Sequence, residues 1–152
     1  MLIAGGSFTL TSGSAIVYSA AQGNGGAVFV SSGILIVSRG SSILHSMSSL
    51  SGGAMYITGG TVNIFNGCFI SSSSAQANGG AIAINSGVFT LSDNSSITAS
   101  SAAYGGALYL SGGLIALSRG SSVANSTSLY EGGAAGEERV RWKGSHPCKE
   151  RF

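Results

Sequence analysis

Charge is what this chain has least of. Charged residues make up 8% of its 152 positions, where an ordinary globular domain has about 25%. From Met1 to Tyr130 only Arg39, Asp93 and Arg119 are charged. A formal net charge of +2, of which Arg39, Asp93 and Arg119 together supply +1, gives no basic face for a nucleic-acid backbone or an anionic membrane. No nucleic-acid partner is expected. Carboxylates are as scarce: glycoside hydrolysis needs two facing acids, and lyase-type proton abstraction needs a base with calcium-binding acids or an arginine. Asp93 is the sole acid before Glu131, and an Asp in a turn is ordinary turn chemistry. The chain is therefore expected to be no enzyme and to hold no cofactor. His45 and His146 lie in unrelated contexts and form no metal-ligand set. Cys68 and Cys148 are too few for a disulfide framework. No apolar run reaches the ~18 residues of a transmembrane segment, and no leader with a charged start, an apolar stretch and a cleavage site opens the chain.

Glycine, by contrast, is abundant and ordered. The tripeptide Gly25-Gly26-Ala27 returns as Gly52-Gly53-Ala54, Gly79-Gly80-Ala81, Gly105-Gly106-Ala107 and Gly132-Gly133-Ala134, in steps of 27, 27, 26 and 27 residues. A period between 20 and 50 residues marks a solenoid or array. No phosphate-loop motif or aspartate-bearing calcium nonapeptide accompanies these glycines, so they read as architecture.

Aligned on that period, the rest of each unit falls into columns. Val28, Met55, Ile82 and Leu108 are followed two residues later by Val30, Ile57, Ile84 and Leu110, the alternation of a half-buried strand. A turn with Gly33, Gly60, Gly87 or Gly113 leads to a second strand, with Leu35, Val62, Phe89 and Ile115 inward, then Val37, Ile64, Leu91 and Leu117. A polar turn, Ser38-Arg39-Gly40-Ser41-Ser42 and again Ser118 to Ser122, precedes a third anchor at Ile43, Ile70, Ile97 and Val123. Three residues on stand Ser46, Ser73, Ser100 and Ser126, and a small-residue link returns to the next Gly-Gly-Ala. The one missing residue falls in that link, between Ser100 and Gly105, where no register is at stake. Helices are excluded by the Gly, Ser and Thr content and by the lack of a 3.6-residue stripe. The expected fold is all-β: a right-handed parallel β-helix of about five coils, each with ~27 residues and three short strands. At ~4.8 Å per coil, the ordered part is ~25 Å long.

Repeats span 1–134: a partial unit at 1–24, full units at 25–51, 52–78, 79–104 and 105–131, and the start of another at 132. Residues 135–152 break the pattern, hold the only Trp, the only Pro and all the lysines, and read as a disordered tail. The chain opens inside a coil, as a fragment of a longer repeat protein would. With strands exposed at both ends of the stack, the isolated chain is expected to self-associate.

Two outward features stand out. Phe29, Tyr56 and Tyr109 share the position between the inward residues of the first strand, with Leu2 before them and Ala83 interrupting. They could form an aromatic contact ladder for a sugar or a partner, or simply pack on one another across strands. Asn94-Ser95-Ser96 and Asn125-Ser126-Thr127 fit the N-glycosylation pattern. A flat threonine ladder, as an ice-binding surface needs, is absent, since Ile34, Thr61, Val88 and Leu114 share one outward column.

Gly-Gly-Ala followed by an aliphatic, as in Gly-Gly-Ala-Val28 and Gly-Gly-Ala-Ile82, resembles a repeat motif of the chlamydial polymorphic membrane proteins, and similar repeats occur in bacterial and protist surface proteins. The second motif of that family, Phe-x-x-Asn, has as its equivalent here Ile43-x-x-Ser46, Ile70-x-x-Ser73, Ile97-x-x-Ser100 and Val123-x-x-Ser126. The resemblance implies a surface-exposed or secreted, autotransporter-like passenger that acts in adhesion, with a cell-surface protein or glycan as partner and the outer membrane as location if bacterial. An alternative is a carbohydrate-binding or incomplete part of a pectate-lyase-like, polysaccharide-active β-helix protein. A third is a gene fragment without a function of its own.

Overall fold

The structure, a computed structural model, describes residues 1–131 and 135–136. The first coil runs through β1 (Leu2–Leu10), β2 (Ala15–Val17) and β3 (Ala20–Ala21). The second holds β4 (Val28–Val37), β5 (Ser42–Leu44) and β6 (Met47–Ser48). The third holds β7 (Met55–Ile57), β8 (Thr61–Ile64), β9 (Phe69–Ser71) and β10 (Ser74–Ala75). The fourth repeats these as β11 (Ile82–Ile84), β12 (Val88–Leu91), β13 (Ser96–Thr98) and β14 (Ser101–Tyr104). The fifth holds β15 (Leu108–Leu110), β16 (Leu114–Leu117), β17 (Ser122–Ala124) and β18 (Thr127–Glu131), and β19 (Ala135–Gly136) follows.

These strands stack coil on coil into three parallel sheets, a β-solenoid of about five turns. The first sheet is nine-stranded and holds both leading strands of every coil, joined through the long β4. The second sheet is β2, β5, β9, β13 and β17, and the third is β3, β6, β10, β14 and β18. Like residues meet like: Val28, Met55, Ile82 and Leu108 lie in one register, as do Leu35, Val62, Phe89 and Ile115. Each column is buried, and with Ile43, Ile70 and Ile97 from the second sheet they form one continuous core. Phe89 is its largest fully buried side chain.

The Gly-Gly-Ala corner is explained by backbone crowding. Its first residue is left-handed, with φ of 71, 68, 61 and 57° at Gly25, Gly52, Gly79 and Gly105. Its second has no room for a side chain. A Cβ at Gly53 would overlap the carbonyl oxygen of Gly80 and lie 2.5 Å from that of Ser74, so neighbouring coils nest backbone to backbone there. The alanine that follows is buried in every described copy. Gly132, Gly133 and Ala134 lie outside the described residues, although Ala135 and Gly136 take the register of Leu108 and Tyr109 and so continue the first sheet beyond 134. Of the expected disordered tail, 135–152, the part from 137 on also lies outside the described residues, and its first two residues are the strand β19.

The link after each Ser46-type serine differs from expectation. It is itself strand, and its copies build the third sheet. Sequence patterning does not reveal it because the inward residues there, Ala21, Ser48, Ala75 and Ala102, are small and lack an apolar alternation. The missing residue therefore falls within a strand. The chain absorbs it as a register shift between Ala102 and Tyr104 where β14 pairs with β18.

Candidate functional site

Stacking of like on like turns each outward position into a column along the solenoid. Leu2, Phe29, Tyr56, Ala83 and Tyr109 are in register on the first sheet, as the sequence periodicity requires. Phe29 and Tyr56 pack with ring centroids 5.4 Å apart and planes tilted by 41°. These two rings cover part of each other, and all three aromatics, Tyr109 included, are half-buried. Ala83, between two tyrosines, is only 2% exposed, so the interruption is no open slot. This column is first of all cross-strand packing. Two residues along each strand runs a polar column, Ser31, Thr58, Asn85 and Ser111, in which the Ser111 hydroxyl donates to Asn85 Oδ1 at 2.9 Å.

Exposed large apolar side chains occur on every side, Leu2, Tyr18 and Phe69 among them, and the third side carries two of the three most exposed. Tyr130 is 70% and Leu129 80% exposed, and Tyr130 packs on Tyr104 with centroids 5.2 Å apart. Met47 and Leu50 are exposed in the link of the second coil. All five belong to the third sheet or its edge. Met47 lines a shallow groove of about 450 Å³ on the first three coils, together with small residues, among them Ala20, Ala21, Ser48 and Ala75, and with Gln22 and Gln76. The repeat pattern does not show this side, because each coil carries a different residue there. Its one sequence signal is the appearance of large apolar residues where other copies have Ser or Ala.

Two corners bound the second sheet, and both are left-handed at residues other than glycine. The leading corner has positive φ at two successive residues: Arg39-Gly40, Asn66-Gly67, Asp93-Asn94 and Arg119-Gly120. Three of these four are closed by a backbone bond, as from Ser41 N to Ser38 O at 3.3 Å, whereas Cys68 N donates to the Ser95 hydroxyl at 3.1 Å. This is the turn chemistry of a hairpin, used here to pass between two sheets. The Ser41 hydroxyl reinforces it by donating to Ser38 O at 2.7 Å, and the Cys68 thiol replaces it by donating to Phe65 O. Cys68 is buried, and burial pushes its thiol above the ordinary range, which makes it an inert structural cysteine. Asp93 meets Arg119 at 3.5 Å on the exposed corner, an ion pair of little energetic weight. The trailing corner is Tyr18, His45, Ser72, Ala99 and Asn125, with φ between 52 and 55°. Tyr18 stacks on His45 with centroids 4.9 Å apart and planes within 8°. Because no residue type repeats in it, this corner leaves no pattern in the sequence. The buried serines beyond it, Ser46, Ser73 and Ser100, donate their hydroxyls to Leu44 O, Ser71 O and Thr98 O.

Among the described residues no three His, Cys, Asp or Glu side chains come together as metal ligands, and no helix is long and apolar enough to cross a membrane. Comparison with protein-family models, with curated proteins and with solved structures gives no match to this chain.

Proposed function

We propose that this chain is part of a non-enzymatic scaffold on a cell surface or in a secreted protein, displaying contact residues to a cell-surface protein or glycan. One observation carries the reading: a stack of parallel coils, uncharged over most of its exterior, exposes Met47 and Leu50 on the third side of its second coil and Tyr104, Leu129 and Tyr130 on that of its fourth and fifth. Exposed aromatic and aliphatic clusters on an otherwise small, polar surface mark contact sites. A solenoid holds them rigidly at fixed spacing. The Gly-Gly-Ala repeat adds to this reading through its resemblance to surface-protein repeats, and the outer membrane follows from it only for a bacterial source.

The test is adhesion of beads carrying the full chain to cells and to arrays of immobilised surface glycans. Retention is expected for the native chain, with a loss of tenfold or more for Leu129→Ser with Tyr130→Ser. Retention equal to that of uncoated beads, or unaffected by the double substitution, would overturn the assignment of this surface.

A further inference from the structure

The two asparagine triplets occupy equivalent architectural places, one at each corner of the second sheet. Asn94 lies in the leading corner at φ 60° and Asn125 in the trailing corner at φ 52°, and both are exposed. Each begins Asn-Ser-Ser/Thr, the acceptor pattern for an asparagine-linked glycan. Such triplets arise often in a serine-rich chain, so their surroundings decide the matter.

Around Asn94 the fold leaves space on both sides. The backbone ladder, with Gly67 N donating to Asp93 O and Asn94 N to Arg119 O, puts Gly67 and Gly120 at its position in the adjoining coils. Asn94 is thus the one residue with a side chain in a column of glycines: Gly13, Gly40, Gly67 and Gly120. A Cβ on Gly120 would collide with Asn94 Oδ1. The carboxamide therefore lies along the ledge that the glycine leaves free. Asn125 has Ala99 as its neighbour in the coil before, exposed and reduced to a methyl group. Other asparagines are spent differently: Asn24 Oδ1 accepts from Ser51 N at 3.0 Å and Asn85 Oδ1 from Ser111, and neither begins a triplet.

The sheet between the two corners changes to match. In the fourth and fifth coils its outward residues are Ser96, Thr98, Ser122 and Ala124, whereas the second and third coils present Leu44 and the exposed Phe69 there. No large apolar side chain stands outward on this sheet in the two coils that carry the triplets.

We propose that Asn94 and Asn125 are glycan acceptors when the chain is exported through a eukaryotic secretory route, and that the two glycans cover the second sheet and leave the third as the contact side. This rests on the surface or secreted reading above. In the transfer, Asn Nδ2 attacks C1 of the reducing-end sugar of a lipid-pyrophosphate-linked oligosaccharide. The C1–O bond breaks, the lipid pyrophosphate leaves with the electron pair, Nδ2 gives up one proton, and nothing is oxidised or reduced.

The experiment is secretion of the full chain from a eukaryotic cell behind a cleaved leader, with intact mass read before and after peptide N-glycosidase. Two enzyme-sensitive increments are expected. One is lost in Asn94→Gly and the other in Asn125→Gly, substitutions that suit a positive φ and keep the corner intact. Ser96→Ala and Thr127→Ala, which retain both asparagines, are expected to remove the same increments. A secreted chain with β-sheet circular dichroism and the bare polypeptide mass would overturn the proposal, as would increments that survive the Asn→Gly substitutions. The bead assay uses unglycosylated chain, so a failure here leaves the adhesion reading to be judged separately.

Discussion

The first and third sheets of this solenoid obey different rules. In the first, each inward column is a run of large residues, such as Val37, Ile64, Leu91 and Leu117, paired without a slip from β4 to β16, and the sheet's two register shifts fall between Ile3 and Ser7 of β1, around Gly5 and Gly6. In the third, the inward column is Ala and Ser, strands vary from two to five residues, and one register shift passes without disturbing the core. Bulk explains the contrast. A one-residue slip in a strand exchanges its two faces, which in β12 would expel Phe89 and Leu91 and in β14 takes only the small Ala102 out of the interior. Periodicity is enforced where volume is buried. Variation, and with it the exposed Leu129 and Tyr130, collects where it is not.

The sharpest way to break that comparison is to insert one serine on each side of it. Between Phe89 and Thr90 it should abolish cooperative folding: loss of a buried Phe costs about 3–5 kcal/mol and of a Leu about 2–5 kcal/mol, against a total stability of about 5–15 kcal/mol. After Ala103 it restores the 27-residue spacing and should shift stability by less than ~0.5 kcal/mol, the range of surface changes that touch no special feature. Urea unfolding followed by circular dichroism reads both. Equal effects would mean that the third sheet holds register as strictly as the first.

Glycines sharpen the same contrast at smaller scale. Gly53→Ala drives a Cβ into the backbone of the next coil and is expected to cost more than about 4 kcal/mol, the level reserved for core disruption. Gly40→Ala meets nothing within 4 Å and should cost only the left-handed backbone penalty of about 1–2 kcal/mol, since Arg39 beside it already takes φ 55°. Unfolding midpoints that reverse this order would show that conformation outweighs coil nesting in the Gly-Gly-Ala corner.

What the sequence made legible follows the same division. The columns at Leu35, Val62, Phe89 and Ile115 and the glycine corner repeat because burial and backbone contact permit few residue types there, so period, strand positions and the stacking of coils were readable in advance. The strand that includes Met47 and Ser48 was not, since Ser and Ala serve equally well in a strand or a turn. Nor was the trailing corner: Tyr18, His45, Ser72 and Ala99 share a backbone conformation and no side-chain chemistry. The aromatic column of Phe29, Tyr56 and Tyr109 was found by position, but only side-chain geometry separates a packed ladder from an exposed patch. The residues that carry the contact proposal were missed because they do not repeat.

That separation yields the smallest effect and the most specific one. Tyr56→Ser removes a ring that packs on Phe29 and should destabilise the chain by about 0.5–1.5 kcal/mol through the lost aromatic contact, while leaving bead retention unchanged. Tyr130→Ser removes a ring that packs on Tyr104 but is 70% exposed, and should cost no more than the low end of that range, about 0.5 kcal/mol, while lowering retention. Each variant is measured both by urea unfolding and by adhesion, so the two readouts cross. Retention lost in Tyr56→Ser but kept in Tyr130→Ser would move the contact surface to the first sheet, and the half-buried column would then be the ligand face as well as a packing device.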